Sequence, residues 1–375
     1  MTIVIAAGGT GGHLYPAVAL AREFQRRNSS SQILFVGTER GIESKVLAHE
    51  GFELLRITAK PVMGRGVVSV MQGVLSMPVG LWQSLYILRK HRVDLVIGVG
   101  GYTSPTMLVA AALRGIRRVI LEPNAYPGMA NKAVAPFAQR IFLAFDSAAD
   151  LFDRSKVRVV GTPVRQEFLA PSEPNEAATS GGSCVHLLIF GGSQGAKAIN
   201  SAVLDALVTL TARMPHLAIT HQTGEADYRR VQEIYEKLGV RAKVTPFLYD
   251  MPTVLRSADL VVSRAGAMTI AELAACGKPA ILIPLPTAIY DHQMKNARAM
   301  EAAGGAIVLP QADLTGSTLS DSINAIVQDP SRLQKMSANS RAMRRIDAGR
   351  AIVCECYALM GVTHDGDRFV GEAGA

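Results

Sequence analysis

Two glycine-rich stretches and three polar clusters hold the residue types in this chain that could do chemistry. The first is Ala6-Ala7-Gly8-Gly9-Thr10-Gly11-Gly12-His13, between an apolar run from Thr2 and a helical pattern through Ala17, Leu20, Ala21 and Phe24. Glycines let the backbone turn sharply and bring amide N–H groups close to a ligand. A helix N-terminus adds unpaired donors and a partial positive charge, which together favour an anion. The stretch lacks the Lys-Ser/Thr ending of a nucleoside-triphosphate loop and does not match GxGxxG. A tight turn without a ligand would use the same glycines, but the ring of His13 adds a proton acceptor. The second stretch, Gly191-Gly192-Ser193-Gln194-Gly195-Ala196, follows the apolar run Val185–Phe190. It sets Ser193 and Gln194 at a helix N-terminus, which suits a diphosphate.

Arg264-Ala265-Gly266-Ala267-Met268-Thr269-Ile270-Ala271-Glu272 follows the strand-like Leu260-Val261-Val262. A carboxylate at Glu272 can accept two hydrogen bonds from a ribose diol; the helix dipole alone would also favour a Glu there. In Asp291-His292-Gln293-Met294-Lys295-Asn296, Gln293 and Asn296 are three apart and share a helix face, so both could reach one polar ligand, or simply face solvent. Gly98-Val99-Gly100-Gly101-Tyr102-Thr103-Ser104 and Glu122-Pro123-Asn124-Ala125-Tyr126-Pro127-Gly128 are polar loops after strands. Parallel strands end on one side, so these loops are expected on the rim that holds His13. No Ser-His-Asp signature and no metal-ligand spacing occurs, which argues against a hydrolase or metalloenzyme.

Strand-like runs near residues 3–7, 33–36, 54–57, 94–98, 119–121 and 141–144 alternate with helical patterns in the first half. Such alternation means βαβ units and a parallel sheet covered on both faces. The second half opens with strand, glycine loop and helix just as the first does, a loose internal repeat. The expected fold is α/β: two similar doubly wound domains facing across a cleft, with ligands at the carboxyl ends of the strands. We expect a first domain over residues 1–163 and a second over 164–344, with 171–183 a flexible linker or insertion. Residues 345–375 should form a helix returning to the first domain and then a tail.

The 375 residues carry a net charge of +8, spread along the chain. No aromatic-interleaved basic motif appears, so no nucleic-acid partner is expected; phosphate-bearing ligands or an anionic membrane surface account for the excess. Four scattered cysteines fit a reduced compartment, and strand one begins at once, with no secretory signal in view. Val67–Leu88 has no charged residue and is long enough to span a bilayer. Its glutamines, serines, glycines and Pro78 make it only marginally apolar. A covering core helix is the default, and a helix leaving Trp82 and Tyr86 for an interface is the alternative.

Taken together, these motifs resemble the MurG family of bacterial glycosyltransferases. The resemblance rests on Gly8–His13, Gly100-Gly101-Tyr102, Asn124-Ala125 with Pro127-Gly128, Gly161-Thr162-Pro163-Val164-Arg165, Gly191–Ala196, Arg264–Glu272 and Asp291-His292-Gln293, in family order over nearly the whole chain. It implies a GT-B fold of two Rossmann-like domains. It implies inverting, metal- and cofactor-independent transfer of N-acetylglucosamine (GlcNAc) from UDP-GlcNAc to the 4-hydroxyl of N-acetylmuramic acid in undecaprenyl-linked lipid I, giving lipid II. Contacts to UDP-GlcNAc would come from Thr10, Gly11, Gly12, Asn124, Arg165, Ser193, Leu248, Ala267, Met268, Thr269, Ile270, Ala271, Glu272 and Gln293, with Tyr102 on the acceptor side. His13 is the expected general base, and Glu122 the competing base or the group that orients the acceptor. The resemblance also implies a peripheral enzyme at the cytoplasmic face of the inner membrane, touching lipid near Val67–Trp82 and meeting other cell-wall synthesis proteins. The chain departs from the family in having Leu121-Glu122-Pro123-Asn124 for the usual His-Glu-Gln-Asn and Thr162 for Asn. A UDP-GlcNAc epimerase using the same cleft is the alternative enzyme, and a non-catalytic nucleotide-sugar sensor the alternative from another class.

Overall fold

The computed structural model describes residues 1–8, 11–38, 43–59, 67–169 and 184–362. Thr10, the expected linker 171–183 and the tail beyond 362 lie outside the described residues.

The first half builds a parallel sheet from β1 (Thr2–Ala7), β2 (Gln32–Gly37), β3 (Glu53–Arg56), β4 (Leu95–Gly100), β5 (Arg117–Glu122), β6 (Arg140–Leu143) and β7 (Val157–Val159). The strand order is β3-β2-β1-β4-β5-β6-β7. Its helices are α1 (Gly11–Arg27), α2 (Glu43–His49), α3 (Val67–Lys90), α4 (Ser104–Leu113) and α5 (Met129–Val134). A short α6 (Gln166–Leu169) follows the crossing into the second half.

The second sheet, in order β10-β9-β8-β11-β12-β13, holds β8 (Val185–Phe190), β9 (Leu217–Gln222), β10 (Ala242–Thr245), β11 (Leu260–Ser263), β12 (Ala280–Leu282) and β13 (Ala306–Val308). Around it lie α7 (Lys197–Arg213), α8 (Tyr228–Lys237), α9 (Met251–Ser257), α10 (Ala267–Cys276), α11 (His292–Ala302), α12 (Gly316–Val327) and α13 (Pro330–Ala342). The last helix, α14 (Ala348–Met360), packs on the first domain: Ile352, Val353, Cys356 and Tyr357 join the core under α1, and Tyr357 meets Phe24 edge-on at 5.8 Å.

Both sheets are buried on two faces, which is why their central strands are continuous apolar runs rather than alternating ones. Each order reverses at its first strand, β1 and β8, and the loops leaving the carboxyl ends of the central strands line the crevice. The sequence reading named none of β7, β9, β10 and β13. Each apart from β9 is only three or four residues long, too short for an apolar run to stand out.

No helix among the described residues is long and apolar enough to cross a membrane. In α3, Ser84, Ile87 and Leu88 are buried against the sheet, while Met77, Val79, Trp82 and Tyr86 are 42–68% exposed. The rings of Trp82 and Tyr86 stack at 6.2 Å. The helix is therefore neither a span nor a plain core helix: one face packs and the other is left apolar in solvent.

Candidate active site

His13 is the third residue of α1, so the glycine loop delivers its ring to the rim of the first sheet. Gly100, at the end of β4, has φ +119°, and a Cβ there would lie 2.9 Å from the Nε2 of His13. Only glycine leaves room for the imidazole and accepts that backbone. Burial, then the neighbouring His292, bring the His13 pKa down to about 4, against a smaller opposing effect of its hydrogen bond to the Gly8 backbone. The ring is neutral at physiological pH, and a neutral imidazole keeps one nitrogen as acceptor. Ser104 fixes the neighbouring turn by accepting from the Gly100 amide at 2.9 Å and donating to the Ala6 carbonyl at 2.8 Å. Tyr102 is 45% exposed on the same rim.

Glu122 closes β5 and is 1% exposed. Its Oε1 accepts from the amide and side chain of Asn124 at 3.0 and 3.1 Å. Its Oε2 accepts from the Gly128 amide and from Asn131 Nδ2, both at 2.9 Å. Burial raises its pKa, partly offset by these hydrogen bonds. A carboxylate so enclosed has no free lone pair aimed at a substrate. Glu122, expected as a competing base or as the group that orients the acceptor, is here the post around which loop 123–128 is wound.

That loop reaches the second domain. Asn296 of α11, fully buried, accepts from the Ala125 amide at 2.8 Å and donates to Asn124 Oδ1 and to the Ala265 carbonyl, each at 3.2 Å. Asn296 thus bridges the domains rather than sharing a ligand with Gln293. Gln293 itself accepts from the Leu285 amide at 3.0 Å. Tyr290 and Asp291, both at φ 56°, turn the chain sharply just before α11.

In the second domain the loop after β8 closes through a Gly195 amide to Gly192 carbonyl bond of 2.9 Å, with Ser193 and Gln194 exposed ahead of α7. Gly195, at φ +72°, passes so close to the next loop that a Cβ would lie 1.9 Å from the Thr223 carbonyl. Asn200 of α7 donates to that carbonyl at 2.9 Å, tying the two loops together. Leu248, on the loop after β10, is buried.

Glu272 lies on α10 and makes no hydrogen bond to a described residue. Burial pushes its pKa up to about 7, against the pull of Arg165. The Arg165 guanidinium lies over the rings of Tyr15, at 5.4 Å, and of Phe168, at 5.2 Å, and its buried Nε has no hydrogen-bond partner among the described residues. A carboxylate with no ion pair among the described residues, and a guanidinium that acts on its charge while keeping an unpartnered Nε, are groups that a polar ligand would complete. Residues on α10 turn about 100° each, which puts Ala267, Ile270 and Ala271 on a different face from Glu272. There they line an interdomain cavity of about 300 Å³ beside Phe145, Thr162 and Met343, and Ile270 also joins the core. The structure thus brings Glu272, Arg165 and His13 to the cleft but turns Ile270 and Ala271 away from Glu272. Tyr15 and His292, which the motif reading did not single out, stand among these groups. Arg264 is spent on structure, donating to the Ile283 and Pro284 carbonyls and to Gln311.

Two Rossmann-like domains, built on parallel sheets of seven and six strands and meeting at a cleft that holds a neutral imidazole, are the architecture of a GT-B glycosyltransferase. The chain belongs to glycosyltransferase family 28, in its MurG branch: residues 3–143 match the family's N-terminal domain and residues 186–349 its C-terminal domain. A curated relative from Syntrophus aciditrophicus, named UDP-N-acetylglucosamine–N-acetylmuramyl-(pentapeptide) pyrophosphoryl-undecaprenol N-acetylglucosamine transferase, is 44% identical over 96% of this chain and 98% of its own length. The crystal structure of MurG from Acinetobacter baumannii superposes with TM-score 0.75 at 28% identity, covering 94% of this chain and 98% of its own. A UDP-GlcNAc 2-epimerase from Neisseria meningitidis, bound to UDP-GlcNAc, superposes with TM-score 0.67 at 15% identity over 96% of this chain and all of its own, a likeness of fold alone.

Proposed function

We propose that this protein transfers GlcNAc from UDP-GlcNAc to the 4-hydroxyl of the muramoyl sugar of undecaprenyl-diphospho-MurNAc-pentapeptide, turning lipid I into lipid II. The observation that carries the reading is the 44% identity to a transferase of that name over almost the full length of both chains. The site geometry supports it. His13 accepts the proton of the acceptor hydroxyl as oxygen attacks C1 of GlcNAc from the face opposite UDP, so the anomeric configuration inverts. The C1–O bond to UDP breaks as the new C1–O4 bond forms, and the electron pair leaves on the diphosphate. Amides at Ser193 and Gln194, the N-terminus of α7 and the Arg165 guanidinium spread that charge. Ionised Glu272 accepts from the ribose hydroxyls, Leu248 frames the base, and Met268, Thr269 and Gln293 line the donor side with Gly11 and Gly12 opposite. The exposed face of α3 rests on the cytoplasmic leaflet of the inner membrane, where basic residues such as Arg89 and Lys90 at its end favour anionic lipid.

Incubating the protein with sugar-labelled UDP-GlcNAc, with and without lipid I, tests the proposal. Label appearing in lipid only when lipid I is present is the expected result. Label in an altered free sugar, or no lipid product from enzyme that binds UDP, overturns it.

A further inference from the structure

Tyr126, on the loop held by Glu122 and Asn296, has a lysine from each domain against its ring. Lys295 of α11 places Nζ 3.4 Å from the ring centroid, and Lys132 of α5 places its own at 5.2 Å. Tyr290 of the second domain adds a ring contact at 5.9 Å. Neither lysine forms an ion pair with a carboxylate among the described residues, and Lys295 is exposed. A π face attracts a cation but does not neutralise it, so two like charges lie against one ring at the domain seam without an ion pair to hold either. An anion carrying two negative charges has the chemistry to bridge them.

We propose that Lys132 and Lys295 form a clamp for the diphosphate of the lipid acceptor, assembled only when the two domains meet at Tyr126. This rests on the transferase reading given above. Lys295 is three residues, about one helical turn, beyond His292, which is close enough to His13 to lower its pKa. An acceptor sugar presenting one hydroxyl to His13 would therefore extend its anomeric diphosphate toward the clamp. The first domain points the same way. α3, α4 and α5 cover one sheet face through Ile87, Met107 and Val134, so Lys132 shares a layer with the exposed apolar residues of α3. A lipid whose chain meets α3 would bring its headgroup toward α5. The diphosphate of UDP-GlcNAc has the same chemistry, but the loop Gly191–Ala196 and α7 already offer it donors within the second domain, whereas the clamp needs the first.

The test uses the full chain with Lys132→Gln and Lys295→Gln, singly and together. Each single change should raise the KM for lipid I about tenfold and the pair more, since a charge-assisted contact to phosphate is lost. The KM for UDP-GlcNAc should stay within about twofold, and Lys295→Arg should restore most of the loss. An unaltered lipid I KM in the double variant, or an equal rise in the donor KM, overturns the clamp. Inorganic pyrophosphate, titrated calorimetrically into UDP-saturated enzyme, supplies a readout free of the acceptor. It should bind the parent protein and bind the double variant at least about tenfold more weakly; equal binding, or none to the parent, overturns the clamp. Lysine-dependent pyrophosphate binding by a protein that never labels lipid I would sink the transferase reading and leave the anion site standing.

Discussion

Asn296 Nδ2 donates to Asn124 Oδ1 at 3.2 Å, joining α11 of the second domain to the loop after β5 of the first. The two residues are 172 positions apart in the chain, and Asn296 also holds Ala125 and Ala265. Its shape is therefore less important than its mixture of one acceptor and two donor bonds.

Asn296→Asp keeps the shape and the bond from the Ala125 amide but sets oxygen against Asn124 Oδ1 and the Ala265 carbonyl. A buried acceptor–acceptor contact costs about 1–3 kcal/mol, and the domains should part to relieve it. We expect kcat to fall about tenfold to a hundredfold while UDP affinity, a property of the second domain, stays near that of the parent. Steady-state kinetics beside UDP calorimetry checks this; an unchanged kcat would show that the bridge does not set the catalytic distance.

Glu272 should make donor binding pH-dependent. Its pKa of about 7 in the folded protein lies above the ordinary value of about 4.3. The folded protein therefore holds a proton that the unfolded chain has released, and the free protein's stability from this group is present at low pH and lost as pH rises through about 7. Ribose hydroxyls favour the ionised carboxylate, so UDP-GlcNAc affinity should increase between pH 6 and pH 8 (both about one unit from that pKa), with a proton released on binding. Glu272→Gln should abolish the pH dependence and weaken binding about tenfold. Calorimetry in buffers of different ionisation enthalpy measures both, and a parent affinity flat across this range would refute the ribose assignment.

His13 gives a prediction of opposite character. With a pKa of about 4, its acid limb in turnover at saturating donor should lie well below the ordinary histidine value of about 6.5. His292→Gln removes the second-largest cause of the lowering and should move the limb upward in pH. His13→Ala should reduce kcat by about 10²–10⁴ with UDP affinity intact. A parent limb near ordinary histidine pH, unmoved by His292→Gln, would assign the titration to another group.

Much of this arrangement could be read from residue order alone, and the reason is physical. Strand, glycine loop and helix are local, so the first loop with His13, the second loop and α10 with Glu272 follow from short patterns. Glu122 shows where such reading stops: a Glu at a strand end looks available until Asn124, Gly128 and Asn131 enclose it. Asn296 shows it again, because a face shared with Gln293 predicts a common ligand, whereas its partners come from the other domain. Ile270 and Ala271 belong to the motif by sequence, but helical rotation turns them from Glu272 to the interdomain cavity.

The exposed face of α3 supplies the last prediction. Trp82 is 68% exposed and stacks on Tyr86, which has Lys90 5.8 Å from its ring centroid. Nothing in the fold requires an indole there, since Ile87, Leu88 and Ser84 already bury the sheet-facing side. If the face rests on a leaflet, transfer of a large aromatic side chain from water contributes about 1.5–3 kcal/mol. Trp82→Ser should then lower partitioning onto vesicles containing anionic lipid by about tenfold or more. Thermal stability should change little, because a mostly exposed side chain contributes little to the core. Turnover on vesicle-borne lipid I should fall in parallel, while turnover on a short-chain, water-soluble acceptor should not. Equal losses on both acceptors would place Trp82 in the folding of α3 instead of at the membrane.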